Sequence, residues 1–223
     1  MARIESLRTC SSGKVEVVTG ETIIISPGHG LDRPNEANPG CILTITKNEK
    51  KITLKEVNII YDFCKLLYSD LNKVGLAYIN LKERIAETTK DFTIKGRNEV
   101  ANQIDEEVDA SIQICIHADA NTKGYTGISL FYINGKDRSK KIAEYFEKKL
   151  NAVNLPTRIK PDTETNVGSL GELRNTTAPS MLIEIGSMDT EESRKIMYDR
   201  EKELSKNLSL FLKSFNKDRP NWT

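Results

Sequence analysis

Apolar β-branched residues gather in short runs along the chain, and stretches with helical periodicity separate most of these runs. The first run, Ile23-Ile24-Ile25, favours a buried strand over a helix and ends at Pro27 and Gly28. Later runs predict further strands at 76–79, 111–116, 128–133 and 181–186. Apolar residues at helical spacing predict helices over 53–74, 97–108, 136–151 and 191–215. This alternation predicts an α/β fold, a three-layer α/β/α single domain with a mostly parallel mixed sheet.

The predicted domain spans residues 21–216. Residues 1–20 are weakly patterned, with one short candidate edge strand at Val15–Val18, and we interpret them as an N-terminal extension. Residues 217–223 are interpreted as a C-terminal tail. Four stretches have no clear pattern: 31–40 is rich in helix breakers, 41–52 is ambiguous, 81–96 is polar and 154–175 is loop-rich.

The composition is that of an ordinary globular protein, with 223 residues, 38% of them hydrophobic and 29% charged. The net charge of +1 offers no basic field for nucleic acid. No run approaches the ~18 apolar residues of a membrane span, so we expect no membrane insertion. The first 20 residues lack an apolar segment, so we expect no secretory signal.

The four cysteines, Cys10, Cys41, Cys64 and Cys115, contain no C-x-x-C pair. Cys64 falls on a predicted helix face and Cys115 inside a predicted strand. We predict that both are buried free thiols, which fits synthesis in a reducing cytosol.

The chain has only two histidines, and each follows an isoleucine-rich strand. His29 lies between Gly28 and Gly30, and His117 closes the run 112–116. In open α/β sheets, ligands bind at the carboxyl ends of the strands. A single histidine in such a place is most often a hydrogen-bonded loop residue. Two histidines in such places favour neither of two alternatives over the other: they share a metal site, or they are unrelated loop residues.

Three glutamates are candidate partners of these histidines. Glu184 lies inside the apolar run 181–186, where an unpaired carboxylate is costly to bury, so it either faces water from an edge strand or serves an active site. Glu172 is a rival, but its loop-like surroundings are typical of a solvated glutamate. Glu56 completes Thr53-Leu54-Lys55-Glu56, which fits a helix capping box.

Both histidines and one carboxylate could give zinc three ligands and leave a fourth position open. A second carboxylate would then act as general base.

Several motifs follow one another in order along residues 21–215. They are Ser26-Pro27-Gly28-His29-Gly30, Glu56, Arg97-x-x-x-Ala101-Asn102, Ile116-His117-Ala118-Asp119-Ala120, Gly127-Ile128, Leu170-Gly171-Glu172-Leu173-Arg174-Asn175 and Pro179-Ser180-Met181-Leu182-Ile183-Glu184-Ile185-Gly186. In these motifs the chain resembles the zinc-dependent N-acetylmuramoyl-L-alanine amidases of phage endolysins and of cell-wall and sporulation hydrolases. The resemblance implies that His29, Glu56 and His117 bind one Zn²⁺ per chain and that Glu184 is the catalytic glutamate.

The resemblance also implies a substrate. The chain would act on bacterial peptidoglycan, cleaving the amide between N-acetylmuramic acid and the L-alanine of the stem peptide. It would be made in the bacterial cytoplasm and act on the cell wall after release, as an endolysin or another cell-lysis enzyme. Two alternatives are another zinc peptidase acting on peptidoglycan peptides and a catalytically silent wall-binding module, although a pure binder has no need of Glu184.

Two departures from the resemblance stand out. Similar proteins usually have aspartate where this chain has Ser26, and a carboxylate there could orient a metal-binding histidine. Serine can hydrogen-bond but carries no charge. Thr88-Thr89-Lys90-Asp91 stands where the family tends to have a Thr-Arg pair, so no substrate contacts are assigned from that stretch.

Overall fold

The run Ile23-Ile24-Ile25 forms a strand that is covered on both faces. In the computed structural model all three side chains are fully buried, Ile23 and Ile25 in one hydrophobic cluster and Ile24 in another. Successive side chains of a strand point to opposite faces, so an all-apolar strand needs cover on both sides. This strand therefore belongs to the middle layer of a three-layer domain.

The structure describes residues 6–9, 15–18, 22–29, 40–47, 49–88, 93–119, 125–165 and 167–218. The strands are β1 (Ser6–Thr9), β2 (Val15–Val18), β3 (Ile23–Pro27), β4 (Ile42–Lys47), β5 (Lys50–Lys55), β6 (Tyr78–Asn80), β7 (Ile112–Asp119), β8 (Ile128–Tyr132), β9 (Thr157–Pro161) and β10 (Ser180–Ser187). The helices are α1 (Glu56–Val74), α2 (Leu81–Ala86), α3 (Ile94–Val108), α4 (Asp137–Ala152), α5 (Gly171–Arg174) and α6 (Glu191–Asp218), and a 3₁₀ turn spans Asp162–Glu164.

Within these residues the largest sheet has six strands in the order β6-β3-β7-β10-β8-β9. The first four run parallel to one another. β8 pairs antiparallel with β10, and β9 is parallel to β8. The sheet is mixed and mostly parallel, as predicted. Because β10 is a central strand, the alternative that Glu184 faces water from an edge strand is wrong.

Helices cover both faces of this sheet and confirm the predicted α/β/α layers. On one face α1, α4 and α6 bury Phe63, Phe146 and Leu208 against the strands. On the other face α2 and α3 bury Ile85 and Ile104 beneath Ile24. Among the described residues, no helix combines the length and the apolar character needed to cross a membrane.

Three stretches without a clear pattern contain regular structure. Residues 41–52 contain β4 and the start of β5, which pair as a hairpin; exposed and half-buried side chains alternate along β4, but the first four residues of β5 are all exposed, so the pattern gives no clear signal. Residues 81–96 contain α2 and the start of α3, and 154–175 contains β9, the 3₁₀ turn and α5. β1 and β2 pair in a separate two-stranded sheet. The predicted loop over 31–40, except for residue 40, and the tail beyond residue 218 lie outside the described residues.

The capping box predicted at the start of α1 is wrong. Thr53 lies inside β5, α1 follows Lys55 directly, and no side chain caps the helix. Pairing within the hairpin holds Thr53 in extended backbone opposite Thr44, where it cannot act as a cap. The backbone N–H of Glu56 donates instead to the carbonyl of Cys41 at 2.9 Å.

Candidate metal centre

The three predicted metal ligands come together at the carboxyl ends of β3 and β7. His29 lies two residues beyond β3, and Glu56 is the first residue of α1. His117 lies within β7, which runs two residues further, to Asp119. One ligand atom from each of the three side chains lies within 4.8 Å of the other two.

The carboxylate of Glu56 is held at the centre of this group. Its Oε1 lies 3.3 Å from His29 Nε2 and 3.3 Å from His117 Nδ1. The backbone N–H groups of Ala118 and Cys41 donate to Oε1 and Oε2 at 3.1 and 2.9 Å. Burial by itself would raise the pKa of Glu56, but the two imidazoles outweigh it and hold the pKa well below its usual value. The side chain is therefore an ionised, preoriented acceptor for a cation.

Two glycines allow the backbone to approach this group closely. A Cβ on Gly28 would lie 2.3 Å from Cε1 of His117. A Cβ on Gly40 would lie 2.5 Å from Oε2 of Glu56 and 2.8 Å from Cδ2 of His29, and Gly40 has a positive φ of 66°. A side chain at either position would therefore displace a candidate ligand.

Carboxylates surround His117 on several sides. Burial lowers the pKa of this imidazole, yet Glu172, Glu56 and Glu184 outweigh burial and raise the pKa to about 10. The same negative charges would attract a metal cation, which replaces a proton on an imidazole ligand.

Glu184 occupies the position next to His117 on the neighbouring strand. The two residues are directly paired in the β7–β10 register, and Glu184 is half-buried where the rest of β10 is buried. The pairing becomes irregular between Glu184 and Ser187, a feature that often re-aims side chains beside active sites. Glu184 is thus beside the candidate metal ligands but is not one of them.

Glu172 was predicted to be a solvated loop residue, and this prediction is wrong. It lies in α5, is 5% exposed, and its Oε2 lies 2.8 Å from His117 Nε2. Its other oxygen is paired with Arg97 Nη1, and Arg97 is 4% exposed. Burial raises the pKa of Glu172, but the charges of His117 and Arg97 outweigh burial and lower it.

The sequence carried a signal for Arg97 but a weak one for Glu172. Arg97 precedes Ala101, Ile104 and Val108 at helical spacing, so a charged residue stands in line with the apolar face of α3. A cation in that position requires a buried partner. Glu172 lies beside the buried Leu173 in a helix of only four residues, which is too short to show periodicity.

Ser26 is also buried, at 1% exposure, and pairs in register with Cys115 on β7. Cys115 packs with Leu173 of α5, the residue that follows Glu172. Ser26, the position at which the resemblance leads us to expect aspartate, is therefore paired with a strand residue that packs against α5, the helix that carries Glu172. Gly30 and Ala120 of the motifs, and Thr89, Lys90 and Asp91 of the stretch that departs from the family, lie outside the described residues.

The chemistry of the three donors fits a metal ion. Two imidazoles and one carboxylate are a donor set that zinc binds at catalytic sites, with one position left for water or substrate. His29 keeps 21% of its side chain exposed, whereas Glu56 and His117 keep 7% and 11%. The candidate metal site is therefore open to solvent on the side of His29. A cavity of about 340 Å³ adjoins His29 on that side and is lined in part by Tyr61 and Lys82.

The same architecture occurs in solved amidase structures. The catalytic domain of CwlV, an N-acetylmuramoyl-L-alanine amidase from Bacillus (Paenibacillus) polymyxa var. colistinus, superposes with a TM-score of 0.63 at 19% identity, covering 87% of this chain and 97% of CwlV's. The amidase AmiC2 of Nostoc punctiforme gives 0.60 at 19% identity, covering 89% and 99%. Cwp6 from Clostridium difficile gives 0.60 at 18% identity; the match covers 88% of this chain, which spans only 29% of Cwp6.

Sequence comparison agrees with the fold. No curated protein matches the chain. The family model described as N-acetylmuramoyl-L-alanine amidase, however, matches residues 23–212, which include all four predicted site residues. The chain therefore belongs to the N-acetylmuramoyl-L-alanine amidase family.

Proposed function

We propose that the chain hydrolyses the amide between N-acetylmuramic acid and the L-alanine of the peptidoglycan stem peptide, with zinc held by His29, Glu56 and His117 and with Glu184 as general base. The observation that carries this proposal is the convergence of the three ligand atoms within 4.8 Å, one strand away from Glu184. Membership of the amidase family supports the choice of bond.

In the proposed reaction, different residues of the chain hold the metal and transfer the proton. A zinc ion in this site would polarise the scissile carbonyl and lower the pKa of its water toward ~7. Glu184 takes a proton from the attacking water and delivers it to the departing amine of L-alanine. Ala118 and Cys41 hold the carboxylate of Glu56 through their backbone N–H groups, so the ligand does not need to reorganise during the reaction. The half-buried setting of Glu184 gives it access to substrate while limiting water.

The resemblance to phage endolysins extends the proposal to a biological role, the lysis of a bacterial cell wall. Purified cell walls incubated with the chain should lose turbidity, and they should keep it when the chain carries Glu184→Gln. A chain that only binds walls would leave the turbidity unchanged in both cases.

The bond cleaved decides the proposed activity. Mass spectrometry of digested peptidoglycan should show stem peptides that begin with a free L-alanine amine and glycan strands that carry free lactyl carboxylates. Stem peptides shortened at their carboxyl end, or opened at the cross-link, would assign the chain to a different class of zinc peptidase.

Metal content tests the ligand set. The purified chain should bind one zinc, and His29→Ala or His117→Ala should abolish both zinc binding and hydrolysis, because one of three protein ligands is lost. Full zinc occupancy and activity in Glu56→Gln would remove Glu56 from the set.

A further inference from the structure

Arg97 and Glu172 form a buried ion pair beside the metal centre. Glu172 contacts the side chain of His117, and Arg97 bonds the backbone just before His29. Nη1 of Arg97 donates to the carbonyls of Gly28 and Pro27 at 2.7 and 3.3 Å, immediately before His29. The same nitrogen is paired with Glu172, whose second oxygen contacts His117. One guanidinium thus connects the end of β3 with the carboxylate that contacts the β7 histidine.

The imidazole of His117 lies between two carboxylates. Its Nε2 is 2.8 Å from Glu172, and its Nδ1 is 3.3 Å from Glu56 on the side of the candidate metal position. A proton on Nε2 donated to Glu172 leaves the Nδ1 lone pair directed at the metal position. Histidine ligands commonly donate their second N–H to a carboxylate, which fixes the tautomer and the ring orientation.

Neighbouring contacts fix this pair in place. The side-chain amide of Asn98 donates to the carbonyl of Gly171 at 2.9 Å, so the residues that follow Arg97 and precede Glu172 are themselves bonded. α5 is therefore held against α3 at the level of the ion pair. A buried ion pair adds little to stability compared with apolar residues of the same size, so folding alone does not account for it.

From these contacts we propose that Glu172, held by Arg97, is a positioning residue that makes His117 bind the metal through Nδ1 and thereby sets the affinity for zinc. The inference rests on the zinc-binding role proposed above. It assigns Glu172 no contact with substrate and no proton transfer, which stay with Glu184.

The test is the zinc dissociation constant, measured by competition with a chromogenic chelator on the full chain. Glu172→Gln keeps the size of the side chain but removes its charge, and zinc should dissociate about 10–100-fold more readily. At saturating zinc, kcat should be largely restored, whereas Glu184→Gln should lose kcat at normal zinc affinity.

Asp162→Asn is the matched control. Asp162 is fully buried and paired with Arg174, which lies on α5 like Glu172. Among the described residues, the side chain of Asp162 bonds Arg174, Asn134 and Leu170, and none of these is a candidate metal ligand. This variant should lower the melting temperature and leave the zinc affinity unchanged. A fall in affinity equal to that of Glu172→Gln would mean that loosening α5 suffices, and the positioning role would be wrong.

The other outcomes separate this inference from the proposed function. A wild-type chain that takes up no zinc contradicts the proposed function itself. A wild-type chain that binds zinc no more tightly than Glu172→Gln overturns only the positioning role. Normal zinc affinity with a loss of kcat by about 10²–10⁴ in Glu172→Gln would make Glu172 the base.

A measurement on the unaltered chain covers the case in which Glu172→Gln does not fold. Because the chain has only two histidines, ¹H–¹⁵N spectra of the zinc-loaded protein resolve both imidazoles. His117 should carry its proton on Nε2, and His29, whose Nε2 faces Glu56 at 3.3 Å, should carry its proton on Nδ1. A proton on Nδ1 of His117 would refute the positioning role of Glu172.

Discussion

Glu184 and His117 show how two side chains on adjacent strands can take different roles. Both belong to the carboxyl-terminal part of parallel strands and stand directly opposite each other. His117 is nearly closed off by Glu56 and Glu172, whereas Glu184 remains half-buried. Glu184 is more accessible to a substrate than His117 is, so it is the better candidate for proton transfer to and from the substrate.

Glu184→Gln should therefore reduce kcat by about 10²–10⁴ because an amide cannot take the proton of the attacking water. Zinc content and the melting temperature should stay close to those of the unaltered chain. Glu144→Gln is the control, since Glu144 is exposed on α4. Steady-state hydrolysis of purified muropeptides measures the effect; wild-type kcat in Glu184→Gln would place the base elsewhere.

Gly40 offers a second test at the level of single atoms. Gly40→Ala adds a Cβ only 2.5 Å from Oε2 of Glu56, an oxygen already held by the N–H of Cys41. The variant should bind zinc much more weakly, besides losing ~1–2 kcal/mol through the left-handed backbone.

Gly135→Ala separates the two effects. Gly135 has a φ of 79°, and among the described residues, its two chain neighbours aside, no atom lies within 4 Å of an added Cβ. Gly135→Ala should therefore show the loss of stability alone. Equal zinc affinity in Gly40→Ala and Gly135→Ala, measured by chelator competition, would contradict the close approach.

The sequence predicted part of the site for clear physical reasons. Two histidines after isoleucine strands and a glutamate inside an apolar run are costly or rare placements, so they were visible without a structure. The role of Glu56 came from resemblance, because its spacing from Thr53 fits a cap equally well. Glu172 was considered as a rival to Glu184, but its burial was not predicted because its partners, Arg97 and His117, are 75 and 55 residues away along the chain. Such a contact leaves no local pattern.

At the level of elements, the short helix α5 is fastened by a second buried carboxylate. Asp162 accepts from Arg174 at 2.8 Å, from the N–H of Asn134 at 2.9 Å and from the N–H of Leu170 at 3.4 Å. Burial raises the pKa of Asp162, but these donors outweigh burial and lower it. The ionised carboxylate thus joins the end of β8, the segment after β9 and the start of α5.

This arrangement predicts a specific dependence on pH. Because the folded-state pKa of Asp162 is depressed, its stabilisation is fully present above the unfolded value of ~3.9 and is lost as the pH falls through the folded pKa. Asp162→Asn should lower the free energy of unfolding by about 1–3 kcal/mol at neutral pH, because buried donors lose their charged acceptor. The difference from the unaltered chain should shrink in acid.

Urea unfolding at a series of pH values measures this dependence. Asp199→Asn, at an exposed position of α6, should match the unaltered chain throughout. A deficit in Asp162→Asn that stays constant down to acid pH would show that the charge is not what stabilises α5.

The hairpin β4–β5 illustrates why some elements escaped prediction. Its two strands are six residues each and carry exposed Ile42 and Ile52. With the outward face partly apolar and the inward face only half-buried, the alternation that marks a strand is blurred. Long helices such as α1 and α6 bury a continuous stripe and were predicted within a few residues of their ends.

At the scale of the whole molecule, two cysteine thiols lie on opposite faces of the sheet, so their reactivity can be used to follow the unfolding of each face. Cys64 of α1 packs in the cluster on one side, and Cys115 of β7 packs with Leu173 on the other. Both are free and buried, as predicted, and burial raises the pKa of Cys64 to about 12. Neither thiol should react in the folded protein.

If residues 21–216 unfold as one cooperative unit, Cys64 and Cys115 should become reactive at the same urea concentration. Pulsed alkylation followed by peptide mass spectrometry measures both in one experiment. Cys41, which is only partly buried, is the internal control and should react earlier. Different midpoints for Cys64 and Cys115 would divide the predicted domain into two units.

In the unreduced, denatured protein all four cysteines should react. Fewer than four reactive thiols would indicate a disulfide or another modification and would contradict the predicted reducing compartment.

The position of β10 has a consequence for the stage of synthesis at which the sheet and the candidate site are completed. β10 lies between β7 and β8 in space but follows both in sequence. A ribosome releases the amino-terminal strands first, so the middle of the sheet stays open until Ser180–Ser187 emerges. The three candidate metal ligands are synthesised before β10, whereas the candidate base, Glu184, is part of β10. Under the proposed roles, a growing chain or one that terminates before β10 has the metal ligands without the base, and hydrolytic activity begins only after β10 has been synthesised.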